Sequence, residues 1–239
     1  MKYIATCFLS MAVSFGLLTY DKPNVVNVGA QVCNSYVAIE QEGEIIGAGT
    51  VIRLGSETFV LTAYHVVSPG YAVATGNAGR APIPVDTVPY RVMRDSKHYD
   101  SYPVWFTPTG EYGGDDFALL ALPTGSRLPA ATLAFDVTPR DGETVWYVGS
   151  PAGFPRYLER SILSRTDYPA FDSRWLVFGG GGWYGNSGGG LYVERSGRPV
   201  LAGVVSRMLQ SGGFRALMAN RSSRTYDFIR SYMDYRGMR

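Results

Sequence analysis

The chain has 239 residues, 46% of them hydrophobic and 18% charged, which is the composition of a soluble globular protein with a sizeable core. An intrinsically disordered chain is therefore excluded. The net charge is only +2 and the basic residues are scattered, so the sequence predicts no nucleic-acid partner.

The first 24 residues, MKYIATCFLSMAVSFGLLTYDKPN, place one lysine before an apolar run from Tyr3 to Tyr20. This pattern predicts a signal peptide over residues 1–24 and hence a secreted or periplasmic protein. The run is also at the short edge of what spans a bilayer, and its small-residue cleavage site is weak. An uncleaved anchor that tethers the protein to a membrane is the alternative, and a buried amphipathic element is a third interpretation.

Cysteine and histidine are scarce. Cys7 lies in the N-terminal segment, which leaves Cys33 alone in the rest of the chain, so no internal disulfide is expected after cleavage. The two histidines, His65 and His98, do not stand at metal-ligand spacing from the cysteines, and we predict no metal and no other cofactor. His98 lies in a polar stretch and is expected on a surface loop or hairpin.

From Tyr36 onward, short runs of alternating apolar and polar residues are separated by turn signals, which is typical of β-strands. YVAIEQEGEIIGAGTVIRLGSETFVLTAYHVV predicts three strands with turns near 42–43 and 55–56. Further strand-like runs follow at 71–75, 88–94, 117–122, 143–149, 157–164, 174–178, 190–195 and 199–206.

A segment rich in Pro, Gly and Thr between Leu122 and Gly142 divides these runs into two groups of about six. We therefore predict an all-β fold of two antiparallel six-stranded barrels, because closure removes exposed strand edges. The first barrel is expected at about 30–123, the linker at about 123–141 and the second barrel at about 142–220. SRTYDFIRSYMDYR has a helical apolar period and predicts a single short C-terminal helix at about 223–236.

Three segments carry residues that suit hydrolysis at a serine. FVLTAYHVV places His65 directly after a strand, GGDDFALLAL places Asp116 at the head of another, and GWYGNSGGGLYV places Ser187 in a glycine-rich turn. A hydroxyl needs an imidazole to take its proton and a carboxylate to fix the imidazole's tautomer. Asp115 competes with Asp116, but adjacent strand residues face opposite sides, so only one of them reaches the histidine.

The order His, Asp, Ser and the segments TAYH, DFALL and GNSGG resemble the trypsin/chymotrypsin-like serine peptidases over about residues 36–208, and the asparagine in GNSGG is similar to the bacterial HtrA-type branch. The resemblance implies a chymotrypsin-like double barrel and a serine endopeptidase that cleaves polypeptides through an acyl-enzyme intermediate. It implies catalytic roles for His65, Asp116 and Ser187, and an oxyanion hole formed by the backbone N–H groups of Gly185 and Ser187. Two departures are Tyr64, where a small residue is usual, and GGG in place of GGP after the serine.

Asn186 stands where trypsin-type zymogens carry the aspartate that pairs with a new N-terminal amine. A neutral amide cannot form that ion pair, so activation by that route is not expected. The residues after Ser206 are too few for the PDZ domain of HtrA enzymes, and we expect a bare protease domain.

By the same resemblance, Gly181 lies at the base of the pocket that receives the residue before the scissile bond, and the far wall lies at Ser206 in SRML. Neither segment contains Asp or Glu, so a preference for Lys or Arg is not expected. Small or medium apolar residues are favoured, and an acidic preference is the alternative if Arg207 or Arg215 turns inward.

Two other interpretations of the chain stay open at this point. One is a virus-encoded processing protease of the same fold, in which a hydrophobic segment also precedes the catalytic domain. The other is a catalytically silent homologue that binds polypeptides without cleaving them.

Overall fold

The structure is a computed structural model that describes residues 24–67, 90–107, 115–163, 175–180, 183–211 and 214–238. Two helices and twelve strands lie in these ranges. The helices are α1 (Asn24–Asn34) and α2 (Ser222–Arg236). The strands are β1 (Tyr36–Gln41), β2 (Glu44–Leu54), β3 (Glu57–Thr62), β4 (Tyr90–Arg94), β5 (Lys97–Phe106), β6 (Ala118–Ala121), β7 (Thr144–Gly149), β8 (Tyr157–Ile162), β9 (Trp175–Gly179), β10 (Gly190–Arg195), β11 (Arg198–Ser211) and β12 (Phe214–Asn220).

Strands β1 to β6 close into an antiparallel barrel in the order β1-β2-β3-β6-β5-β4, which we call the first barrel. Pairing of β1 with β4 closes it. Its interior holds a cluster of buried aliphatic side chains that includes Val37, Val51 and Val60. The packing is close, because a Cβ at Gly49 would lie 2.3 Å from Cγ1 of Val60.

Strands β7 to β12 form a second antiparallel sheet in the order β8-β7-β10-β11-β12-β9, which we call the second sheet. Its two edges approach each other at a bridge between Leu163, directly after β8, and Phe178 of β9. The predicted all-β architecture of two six-stranded antiparallel units is therefore confirmed.

Helix α1 is a feature that the sequence analysis did not predict, since a single helix was expected at the C-terminus. The segment NVVNVGAQVCN is rich in valine and contains a glycine, both of which disfavour helix. Burial on the second sheet compensates, since Val28 and Val32 are fully buried and a Cβ at Gly29 would lie 3.0 Å from Leu158. Tertiary packing thus overrides the local preference.

Helix α2 is the predicted C-terminal helix, and it begins at Ser222. Tyr226, Phe228, Ile229 and Tyr232 form its buried face. It ends at Gly237, which adopts φ +64° and donates its N–H to the carbonyl oxygens of the last turn.

Two strands did not appear among the predicted runs. Strand β5, KHYDSYPVWF, carries charged residues and a proline, and most of its first half is exposed, so its apolar pattern is weak. Strand β12 comes after β11 in the chain and pairs with it antiparallel. The run predicted at 71–75 lies outside the described residues, as does the N-terminal segment up to residue 23.

Neither α1 nor α2, the helices within the described ranges, has the length and apolar character needed to cross a membrane.

Candidate active site

His65 lies in a short 3-10 turn, Tyr64–Val66, directly after β3. Both neighbours of the histidine are buried in the first barrel, which fixes the turn. The Tyr64 ring stacks on Phe106 with 5.2 Å between ring centroids and 18° between planes. The unusual residue before the histidine therefore fills space in the barrel and leaves the His65 ring about a third exposed.

Asp116 directly precedes the apolar residues that lead into β6, and it is 5% exposed. Nδ1 of His65 lies 2.7 Å from Oδ2 of Asp116, and the backbone N–H of His65 donates to Oδ1 at 3.0 Å. The hydroxyl of Ser206 also donates to Oδ2. With Nδ1 held by the carboxylate, the histidine presents Nε2 to the opposite side.

The charge of Asp116 follows from these contacts. Burial on its own would raise the pKa of the carboxyl group. The hydrogen bonds and charge of His65, together with the bond from Ser206, outweigh burial and lower the pKa of Asp116 below its ordinary value. Asp116 is therefore an ionised carboxylate at neutral pH.

Asp115 faces the other way, towards α2. Its two carboxylate oxygens accept hydrogen bonds from Nε and Nη2 of Arg224, at 2.9 Å and 2.7 Å. The structure thus brings Asp116, and not Asp115, to His65. Asp115 instead fastens the C-terminal helix to the segment before β6.

Ser187 lies in the turn before β10, and its main chain is held against the first barrel. The N–H of Ala48 donates to the Ser187 carbonyl at 2.9 Å. A Cβ at Gly47 would lie 3.2 Å from that carbonyl and 2.6 Å from Cγ1 of Val66, the residue after His65. The serine turn and the residue after His65 therefore both lie against Gly47 of β2, in the first barrel.

Glycine is required at two positions of this turn. Gly185 has φ +96°, and a Cβ there would lie 2.0 Å from the carbonyl oxygen of Ser150. Gly188 has φ +86°, and its Cβ would lie 2.1 Å from both the Ala48 carbonyl oxygen and Oγ1 of Thr62. Within the described residues, the N–H groups of Gly185 and Ser187 donate to no backbone carbonyl.

The predicted pocket residues have different outcomes. Gly181 and the side chain of Arg215 lie outside the described residues. Ser206 is described, and its buried hydroxyl is engaged by Asp116. The guanidinium of Arg207 lies 4.8 Å from the centre of the Trp175 ring.

Sequence reasoning missed the bond from Ser206 to Asp116. The available signal was the hydroxyl at the end of the otherwise apolar run LAGVVS, since a buried polar group needs a partner. His98 lies in the β4–β5 hairpin, with Nε2 at 3.1 Å from Glu40, away from the site.

Comparison with known proteins supports this architecture. A family model of the trypsin-like peptidase domain matches residues 47–202, a range that includes His65, Asp116 and Ser187. The fold is similar to that of the serine endoprotease from Yersinia pestis, with a TM-score of 0.63 and 17% identity over 90% of this chain and 67% of that one. A search of the curated proteins found no match.

Proposed function

The chain belongs to the trypsin-like peptidase domain family, and from this premise we propose that it is a serine endopeptidase with Ser187, His65 and Asp116 as its catalytic triad. The observation that carries the proposal is the buried, ionised Asp116 that holds Nδ1 of His65 at 2.7 Å. A histidine with only a structural role at a strand end does not need a buried carboxylate as its partner, nor one that also accepts a hydrogen bond from the hydroxyl of Ser206.

In the proposed reaction, Nε2 of His65 accepts the proton of the Ser187 hydroxyl as its oxygen attacks the substrate carbonyl. The imidazolium that forms is stabilised by the carboxylate of Asp116. His65 then protonates the leaving amine, which releases the first product and leaves an acyl group on Ser187. Water, deprotonated by the same imidazole, then attacks the acyl carbon; the bond to the Ser187 oxygen breaks, and His65 returns the proton to that oxygen as the acid product leaves.

The negative charge that develops on the carbonyl oxygen is stabilised by the N–H groups of Gly185 and Ser187. Such donors are effective because they are already oriented when the charge appears. The left-handed backbone at Gly185 and its contact with Ser150 set this orientation.

For substrate preference, we propose small or medium apolar residues before the scissile bond. The segments GGGGWY and SRML contain no carboxylate to meet a Lys or Arg side chain. Arg207 lies over the Trp175 ring, which gives its cation a partner and disfavours the acidic alternative through this residue. Profiling with a mixed peptide library tests this, and a dominant preference for Lys or Arg would refute it.

Labelling with a fluorophosphonate tests the triad, because this probe reacts with activated serines. We expect one adduct on Ser187, located by mass spectrometry, and no adduct in Ser187→Ala or His65→Ala. Ser126→Ala is the matched control, since Ser126 is a surface serine whose hydroxyl bonds only to the Pro123 carbonyl among the bonds described for it. A wild-type protein that binds casein but is neither labelled nor able to cleave it would be the catalytically silent homologue.

The location of the protein is a separate proposal. We propose export through residues 1–24 to the periplasm or the exterior, with retention in the membrane as the alternative. N-terminal sequencing of the mature protein distinguishes the two. A new N-terminus near residue 24 supports cleavage, and an intact Met1 in the membrane fraction supports the anchor.

A further inference from the structure

The peptide unit between Tyr184 and Gly185 carries one of the two proposed oxyanion donors. The N–H of Ala152 donates to the Tyr184 carbonyl at 2.7 Å. In a trans peptide the C=O and N–H groups point in opposite directions, so holding the carbonyl fixes where the Gly185 N–H points. The next carbonyl, that of Gly185, accepts the N–H of Ser150 at 3.1 Å. The segment from Ser150 to Ala152 therefore holds, by hydrogen bonds, the peptide groups on both sides of Gly185.

This segment belongs to a loop, residues 150–156, that has an unfavourable backbone conformation. Ala152 and Arg156 have φ +53° and +60°, in the left-handed region that L-residues with a side chain rarely adopt. Such conformations persist only where surrounding contacts hold them. Contacts with the rest of the protein therefore have to hold the loop in this conformation.

One side chain contacts both ends of the loop. The hydroxyl of Tyr36 shares a hydrogen bond with the hydroxyl of Ser150, and it accepts the backbone N–H of Arg156 at 3.1 Å. Tyr36 is 4% exposed and Ser150 is fully buried. Because water cannot replace a lost partner there, breaking either bond costs free energy. Burial raises the pKa of the Tyr36 hydroxyl above its ordinary value, although its bonds to Ser150 and Arg156 oppose this, so the hydroxyl stays protonated.

Tyr36 is the first residue of β1, in the first barrel, whereas the loop follows β7 of the second sheet. The contact thus links the barrel that supplies His65 and Asp116 to the turn that supplies Ser187. Asn186 stands where trypsin-type zymogens carry an aspartate, and a neutral amide cannot form the ion pair of that aspartate. The serine turn therefore needs another support in this chain.

We propose that Tyr36 is a positioning residue, which acts through Ser150 and the 150–156 loop to hold the Gly185 N–H towards the oxyanion site. The inference rests on the proposed function, because it assigns a support to that oxyanion hole. A support of this kind orders the turn without the ion pair that Asn186 cannot form.

The test compares Tyr36→Phe with Tyr226→Phe in the full chain. Tyr226 is a matched control, because its buried hydroxyl also accepts a backbone N–H, from Ala134 at 2.8 Å, and donates to the Leu201 carbonyl at 2.8 Å. We expect Tyr36→Phe to lower fluorophosphonate labelling of Ser187 and kcat on fluorogenic casein about tenfold, with KM within about twofold. Tyr226→Phe is expected to leave both within about twofold.

Ser150→Ala provides a second route to the same contact. It removes the hydroxyl partner of Tyr36 but keeps the backbone groups that hold the peptide groups on both sides of Gly185. We expect a defect no larger than that of Tyr36→Phe, because Tyr36→Phe also removes the acceptor of the Arg156 N–H. A double variant should be scarcely worse than Tyr36→Phe alone, because that change already breaks the bond between the two hydroxyls.

Three outcomes separate this inference from the proposed function. A wild-type protein without a Ser187 adduct contradicts the proposed function itself. If the wild type is labelled, but Tyr36→Phe and Tyr226→Phe have the same labelling rate and the same kcat, only the positioning role is overturned. Fully additive effects of Tyr36→Phe and Ser150→Ala overturn it as well, since the two residues would then act separately.

Discussion

On the first-barrel side of the site, His65 and Asp116 are held by side-chain hydrogen bonds, whereas on the second-sheet side Ser187 is held by the main chain of a glycine turn. Ala48, from β2, bonds the Ser187 carbonyl, and the N–H of Gly188 bonds the Val205 carbonyl at 2.7 Å. Substitutions on the two sides should therefore lower activity in different ways. The first is sensitive to the exchange of one polar atom, and the second to the addition of one carbon atom.

The largest effect is expected on the side-chain half, from Asp116→Asn. The amide keeps the shape of the carboxylate but selects the wrong imidazole tautomer, and such a change costs about 10⁴-fold in kcat. Measurement of kcat on fluorogenic casein, with circular dichroism to show that the fold persists, checks this.

Asp115→Asn is the matched control for that change. It weakens a partly exposed ion pair with Arg224, which is worth about 1 kcal/mol at most, and it leaves the partner of His65 untouched. We expect kcat within about threefold of wild type. If Asp115→Asn were the more damaging of the two in a folded protein, the arrangement of the two aspartates described above would be wrong.

On the main-chain half, Gly185→Ala is expected to lower kcat by about 10²- to 10³-fold, the range associated with the loss of one oxyanion donor. The added Cβ would lie 2.0 Å from the Ser150 carbonyl oxygen, so the peptide that carries the Gly185 N–H must move. Gly43→Ala is the control, because Gly43 has a similar φ of +90° but nothing within 4 Å of the added carbon. Equal losses in both variants would show that backbone conformation alone, and not the contact, is responsible.

A smaller effect, about tenfold in kcat, is expected from Ser206→Ala, which removes one hydrogen bond from Asp116. The structure lowers the pKa of Asp116, so its ionised form stabilises the fold above the ordinary carboxyl pKa of about 3.9, and this contribution is lost as the pH falls through the lowered value. Without the hydroxyl, the pKa of Asp116 rises, and acid unfolding should begin at a higher pH.

Fluorescence-monitored acid titration measures that shift. Ser101→Ala is the control, since the Ser101 hydroxyl is also buried but donates to the Tyr90 carbonyl and not to Asp116. An acid transition of Ser206→Ala that coincides with that of Ser101→Ala would contradict the role given to the Ser206 hydroxyl.

The comparison also explains what the sequence could predict. Period-two alternation identified most strands, and the order of His65, Asp116 and Ser187 indicated the candidate site, because these features depend on local pattern and on residue type. Helix α1 was missed because its valine-rich segment is helical only through packing on the second sheet. The bond from Ser206 and the contact between Tyr36 and Ser150 join residues 90 and 114 positions from their partners, and no local pattern reports such pairs.

The smallest effect is expected at the surface end of the 150–156 loop. Nη1 of Arg156 lies 3.2 Å from Oδ1 of Asp95, whose side chain is 53% exposed. An exposed pair of this kind contributes about 0–1 kcal/mol and is screened by salt, and asparagine readily adopts the φ of +47° found at Asp95. Asp95→Asn leaves the bond from the Arg156 backbone N–H to Tyr36 intact. We therefore expect Ser187 labelling within about twofold of wild type at both low and high salt, in contrast to Tyr36→Phe. If Asp95→Asn lowered labelling more than about threefold, and high salt lowered labelling of the wild type equally, then charge, and not the buried hydroxyl, would hold the loop.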